Sequence, residues 1–174
     1  MPASNFIVTH GAKQRGSNPL MLLEDLQKIT ALRGLLPETP PAVICGTGRR
    51  HLDVAEALGL KPTNYTGVAG DPESLEIIEI GDGTGKREVV RLACGTLIPL
   101  AICSTPEDMS PAVIAKVVSC ADQTVWCSGR PTMIALGLSN AKSATIYQVF
   151  YARDKLQAIL EINGVDNPMV LQYP

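Results

Sequence analysis

Apolar positions along the chain alternate between short runs and spaced stripes. Residues 5–9 (Asn-Phe-Ile-Val-Thr) form a β-type run that stops at His10-Gly11. A turn-rich stretch through Gly16, Ser17, Asn18 and Pro19 follows. Leu22, Leu26, Ile29, Leu32 and Leu36 then recur every three or four residues, which predicts a helix. Pro19 suits its start, and the proline-rich stretch 37–41 ends it. Residues 42–45 read as a second buried strand, 46–48 as a turn, and 49–58 as a helix with Gly59 as its C-terminal cap. Strand, helix, strand, helix predicts a parallel sheet with helices on its faces.

The middle of the chain is less regular. Residues 75–80 and 88–92 are β-rich and flank the polar loop 81–86, the pattern of a hairpin. Residues 97–103 are a further strand candidate. Ser110 and Pro111 open a helix to about Cys120, the serine as N-cap and the proline in the first turn. A strand over 123–127 and a helix over 130–138 follow. Two β runs, 144–151 and 156–162, close the pattern as a hairpin around Arg153-Asp154. No internal repeat and no linker interrupts the chain, so residues 1–174 are expected to form one domain.

Composition narrows the function classes. Hydrophobic residues make up 45% of the chain, enough for a sizeable core. Lys and Arg number 15 against 17 Asp and Glu, a net charge of −2 without a charge run. That balance argues against broad nucleic-acid or membrane-surface binding. The N-terminus lacks the basic start and apolar core of a signal peptide, and no apolar run approaches the ~18 residues of a spanning helix. A soluble, cytoplasmic protein is expected. Five cysteines (Cys45, Cys94, Cys103, Cys120 and Cys127) lie in apolar settings without a Cys-x-x-Cys pair. They read as reduced, buried thiols rather than zinc ligands, and no metal or cofactor is called for.

Two segments carry chemistry. His10 stands at the carboxyl end of the first strand, the edge where open α/β sheets bind ligands. Residues 43–58 (Val-Ile-Cys-Gly-Thr-Gly-Arg-Arg-His-Leu-Asp-Val-Ala-Glu-Ala-Leu) place cations just beyond the second strand, at a helix N-terminus. Backbone N–H groups and the helix dipole there favour anions, and an arginine fork matches phosphate.

The 43–58 segment resembles, without a gap, the second-strand motif of the histidine phosphatase (phosphoglycerate mutase-like) superfamily, Val-Tyr-Ser-Ser-Pro-Leu-x-Arg-Ala-x-x-Thr-Ala-x-x-Leu. Arg50 falls on the family's phosphate-binding arginine. His10-Gly11 falls on the His-Gly of its Arg-His-Gly signature, and residues 124–129 fall where the family has strand-Ser-His-Gly. The closing hairpin is similar to the last two strands of that fold. The resemblance covers about 5–58 and 120–163. It implies a three-layer α/β/α sandwich with a mostly parallel central sheet. It also implies a mechanism in which a histidine attacks phosphorus, arginines and a second histidine hold the phosphoryl oxygens, and a carboxylic acid protonates the leaving group.

The departures from the motif define the functional expectation. Thr9 stands where the signature has arginine, and Ser128 where it has the second histidine. Cys45, Gly46 and Gly48 replace small or polar motif positions. Arg15 and Arg130 are near enough in sequence to the lost cations to substitute for them. Asp71, Glu73 and Glu76 are the proton-donor candidates, since they lie in the expected interval. The expectation is a phosphate or small phosphorylated ligand held near His10 and Arg50, with weak or no phosphomonoesterase activity. The alternatives are an active phosphomonoesterase through phospho-His10, or a nucleotide-binding α/β protein using the 46–51 turn. That turn lacks the third glycine of a dinucleotide fingerprint, and 81–86 lacks P-loop spacing. Oligomeric state is not set by the sequence.

Overall fold

The computed structural model describes residues 3–11, 21–46, 49–66, 76–81, 86–91, 97–99, 103–104, 112–153, 155–162 and 170–172. Strand β1 (Ala3–Thr9) is followed by helix α1 (Leu23–Ala31), β2 (Val43–Gly46), α2 (Arg49–Ala57) and β3 (Asn64–Thr66). Strands β4 (Glu76–Gly81), β5 (Lys86–Arg91), β6 (Leu97–Pro99) and β7 (Cys103–Ser104) come next. The chain continues through α3 (Ala112–Ser119), β8 (Val125–Ser128), α4 (Arg130–Ala135), β9 (Ile146–Ala152), β10 (Lys155–Ile162) and β11 (Val170–Gln172).

Eight strands form the main sheet in the order β11-β10-β9-β1-β8-β2-β3-β7. The pairs β1/β8, β8/β2, β2/β3 and β3/β7 are parallel. The pairs β1/β9, β9/β10 and β10/β11 are antiparallel. Strands β4, β5 and β6 make a separate antiparallel sheet.

Alternation along the strands builds two cores. Phe6, Val8, Val43, Cys45, Val125 and Cys127 face one side, where Ile29 of α1 and Val54, Ala55 and Leu58 of the α2 region cover them. Ile7, Trp126, Tyr147 and Val149 face the other side, under Val117 of α3 and Met133, Ala135 and Leu136 of α4 and its end. One register step thus sends neighbouring residues of a strand to opposite layers. The result is a three-layer α/β/α sandwich whose central strands are parallel. Each buried aliphatic side chain in it stabilises the fold by about 1.5–3 kcal/mol.

Polar side chains pin the layers where backbone pairing stops. Asn5 is fully buried; its Nδ2 donates to Val117 O (2.7 Å) and its Oδ1 accepts from Thr124 N–H (3.2 Å). It therefore ties α3 and the start of β8 to β1. At the end of α2, Gly59 has φ +64°. Its N–H donates to Glu56 O (2.9 Å) and Leu60 N–H donates to Ala55 O (3.0 Å), the reciprocal closure of a Schellman motif.

Several elements differ from the sequence pattern. The predicted helix over 22–36 ends at Ala31 and tightens into a 3-10 turn at Arg33–Leu35, where Gly34 weakens helical continuation and Pro37 follows. The predicted strand 97–103 is two strands in two sheets, β6 beside β5 and β7 beside β3. Pro99 lacks the N–H that a continued ladder needs. The helix start at Ser110-Pro111 lies outside the described residues. Among the described residues no helix is long and apolar enough to cross a membrane.

Candidate functional site

Strands β1, β8 and β2 are neighbours, and all three run parallel, so their carboxyl ends share one edge. Thr9 ends β1 in register with Ser128, which ends β8. His10 follows β1, Gly129 follows β8, and Arg50 is the second residue of α2, shortly beyond Cys45-Gly46 at the end of β2. The structure thus gathers His10, Arg50, Thr9 and Ser128 at the edge where parallel sheets bind ligands.

His10 is half-buried, and its Nδ1 lies 2.9 Å from Gly11 O. A carbonyl oxygen only accepts, so Nδ1 carries the proton. In the neutral ring Nε2 then keeps its lone pair, the form needed of a nucleophile. The backbone is held from behind: Ala144 N–H donates to His10 O (3.1 Å), and Thr9 N–H donates to Thr145 O (2.9 Å).

The Thr9 side chain belongs to the same latch. Its hydroxyl is buried, lies 2.7 Å from Lys142 O and 3.2 Å from Thr145 O, and accepts from Thr145 N–H at 3.1 Å. Lys142 N–H donates to Tyr147 Oη (2.7 Å), while Lys142 Nζ pairs with the buried carboxylate of Glu161 at 2.9 Å. The carboxylate pushes the Lys142 ammonium above its ordinary range. Burial does the same for the Tyr147 phenol, with further effects from Lys142 and Glu161. Ser128 is buried too, facing α4, and its Oγ shares a hydrogen bond with Thr132 Oγ1.

The residue that sequence reasoning missed is His51. It is 4% exposed and lies in the first turn of α2. Its ring meets that of His10 edge-on, centroids 5.5 Å apart and planes at 60°. Two glycines make room for it. A Cβ on Gly46 would stand 2.2 Å from His51 Nδ1, and a Cβ on Gly129 would stand 3.3 Å from His51 Nε2. The same Cβ on Gly129 would lie 3.2 Å from His10 Nε2. Gly129 therefore sits between two imidazoles, one from the end of β1 and one from the first turn of α2. The available signal was spacing: His51, Val54, Ala55 and Leu58 fall at i, i+3, i+4 and i+7, the buried stripe of α2.

The first turn of α2 contains Arg49, Arg50 and no acidic residue. Cations there oppose the helix dipole, at a cost of about 0.3–1 kcal/mol each, which a bound anion would offset. Arg49 pairs with Asp53 one turn on (3.7 Å), and Asp53 Oδ2 accepts Met21 N–H (3.2 Å). Arg50 is half-buried. Below the site, Cys45 and Cys127 face each other in register and are free, buried thiols. Burial, reinforced by Cys127, pushes the Cys45 thiol up, so it is not a nucleophile.

Other candidates are placed less fully. Arg130 begins α4 directly after Gly129. Glu76 begins β4, opposite Arg91 in the separate sheet. Arg15, Asp71 and Glu73 lie outside the described residues, as do Thr47 and Gly48 of the 46–51 turn. Among the described residues no group of three or more His, Cys, Asp or Glu side chains is arranged to hold a metal ion.

No family model and no curated protein sequence matches this chain. Solved structures do. TTHB049 from Thermus thermophilus is similar over 91% of this chain and 99% of its own, at 19% identity and TM-score 0.50. A putative phosphohistidine phosphatase SixA from Nakamurella multipartitia aligns over 90% of this chain and 87% of its own (12% identity, TM-score 0.47). The mycobacterial glucosyl-3-phosphoglycerate phosphatase Rv2419c aligns over 86% and 91% (11% identity, TM-score 0.47). With its parallel β1-β8-β2 centre and helices on both faces, the chain shares its fold with TTHB049.

Proposed function

We propose that this chain binds phosphate or a small phosphorylated ligand at the carboxyl edge of β1, β8 and β2, with weak or no phosphomonoesterase activity. One observation carries the reading: His10, its Nδ1 held against Gly11 O, stands at the same strand edge as the cationic first turn of α2. An anion there gains the Arg50 guanidinium and the helix N-terminus together. The ligand needs no metal or cofactor for this contact. We take residues 1–174 as one domain and the cytoplasm as its place of action.

Phosphoryl transfer through this site would run in two steps. His10 Nε2 attacks phosphorus, the P–N bond forms as the ester P–O bond breaks, and the departing oxygen takes a proton. Water then attacks phosphorus, the P–N bond breaks, and phosphate leaves with the water's oxygen. Charge spreads over three phosphoryl oxygens in the transition state, and donors fixed in advance supply most of the rate. Thr9 cannot replace a cation there, because its single proton is directed at the carbonyls of Lys142 and Thr145. Ser128 shares its hydroxyl with Thr132. Losing one such donor costs on the order of 10²–10³ in rate. Arg15 and Arg130 are the remaining cationic candidates, and Asp71, Glu73 and Glu76 the candidate proton donors.

Steady-state release of phosphate from an aryl phosphate tests this reading. Wild type is expected to stay close to the His10→Ala rate. Robust turnover that His10→Ala abolishes would establish the active phosphomonoesterase instead. The nucleotide-binding alternative has less support, because the His51 imidazole fills the space over Gly46 that a pyrophosphate cradle would use.

A further inference from the structure

We infer that His51 is a direct phosphate ligand, a second imidazole delivered to the site by α2 from across β8. The inference rests on the phosphate site proposed above and names a contact within it.

A buried histidine on the apolar stripe of a helix is ordinarily a core residue, and three features set His51 apart. The first is its neighbours. The imidazole spans the ends of two strands, with Nδ1 over Gly46 and Nε2 toward Gly129. Any larger residue at Gly46 would collide with the ring, so two strand ends have been cleared for one side chain. The second is convergence. His10 and His51 approach Gly129 from β1 and from the β2–α2 junction, the two sides of β8, and both present Nε2 to it. The third is the angle between the rings. At 60° and 5.5 Å the pair is edge-on rather than stacked, so the two rings do not lie face to face.

A phosphate resting against His10 Nε2 therefore meets a second imidazole nitrogen on its far side. With a proton on Nε2, His51 donates to a phosphoryl oxygen that Arg50, the preceding residue, does not have to serve. The contact forms and breaks no covalent bond. It strengthens the grip on bound phosphate and leaves the cation missing at Thr9 unreplaced, so tight binding and slow turnover go together.

The chain contains two histidines, which makes the test direct. Protein labelled with ¹⁵N-histidine is titrated with inorganic phosphate at constant ionic strength, and the imidazole signals are followed, with His10→Asn fixing the assignment. Both imidazoles are expected to move, saturating with one common Kd. In parallel, His51→Leu should weaken phosphate about 10- to 100-fold, the loss of one charge-assisted hydrogen bond, and His51→Gln should recover part of that loss. A response confined to His10, or wild-type affinity in His51→Leu, would overturn the role of His51 while leaving the phosphate site intact. Silence from both imidazoles would overturn the site and this inference together.

Discussion

At the scale of single residues, the site depends on side chains that are absent. Gly129 has extended backbone angles (φ −138°, ψ −171°), which any residue adopts without strain. An added methyl would instead press on His10 and His51 at 3.2–3.3 Å. Gly129→Ala is therefore expected to melt within a few degrees of wild type yet bind phosphate about tenfold more weakly, a loss of ~1.4 kcal/mol. A thermal melt beside a phosphate titration separates the two effects; unchanged affinity would show that the imidazoles do not hold the ligand. His10 and Arg50 were legible in the sequence because each follows a strand closely, and chain position alone sets them at the edge. His51 was not, because its ring is placed by Gly46 and Gly129, residues far apart in the chain and joined only by the β2–β8 pairing. The sequence also offered Thr9 as a phosphate contact. Its commitment to Lys142 O depends on a segment 133 residues away and has no local trace.

At the scale of elements, short polar strands were the hard cases. Strand β3 is Asn-Tyr-Thr, with no alternation to read, and it exists because β2 offers a parallel edge in register with it. Strand β11 likewise takes its form from pairing with β10. Strands β1, β8 and β9 were legible as compact apolar, β-branched and aromatic runs, and α2 because its stripe is continuous. The joints between elements make testable claims. Asn5→Leu would leave Val117 O and Thr124 N–H without their side-chain partner inside the fold. The expected cost is about 2–4 kcal/mol in chemical denaturation; a cost under ~0.5 kcal/mol would mean that the joint is not held by Asn5. The segment between α4 and β9 is tied down by Lys142–Glu161 and by Tyr147 Oη. Lys142 and Tyr147 both have folded pKa values above their ordinary ones. Each favours its protonated form in the fold, so their stabilisation is complete below about pH 10 and is lost as pH rises through the raised values. Melting temperature should fall more steeply above about pH 10 in wild type than in Lys142→Met with Tyr147→Phe, and parallel curves would contradict the assignment.

At the scale of the whole molecule, a chain of net charge −2 places Arg49 and Arg50 together in the first turn of α2, at the strand edge that also carries His10. The parallel centre of the sheet brings three strand ends together, and the helices on either face exclude water from the strands beneath. The antiparallel pair β1/β9 stiffens the far side of His10 through the backbone bonds of Thr9 and Ala144. The fold class was legible from the order of strands and helices, because the βα alternation leaves few ways to cover both faces of a sheet. The split of the β4–β6 sheet from the main one was not, since the pattern shows that strands exist without showing which edges they join. What the molecule does with this edge rests on one claim, that an anion binds there through His10 and the first turn of α2. Calorimetric titration of wild type and Arg50→Ala with inorganic phosphate tests it most directly. A single saturable site in wild type, weakened about tenfold or more in Arg50→Ala, is the expected result. Equal affinity in the two proteins, or no saturable binding to wild type, would contradict it.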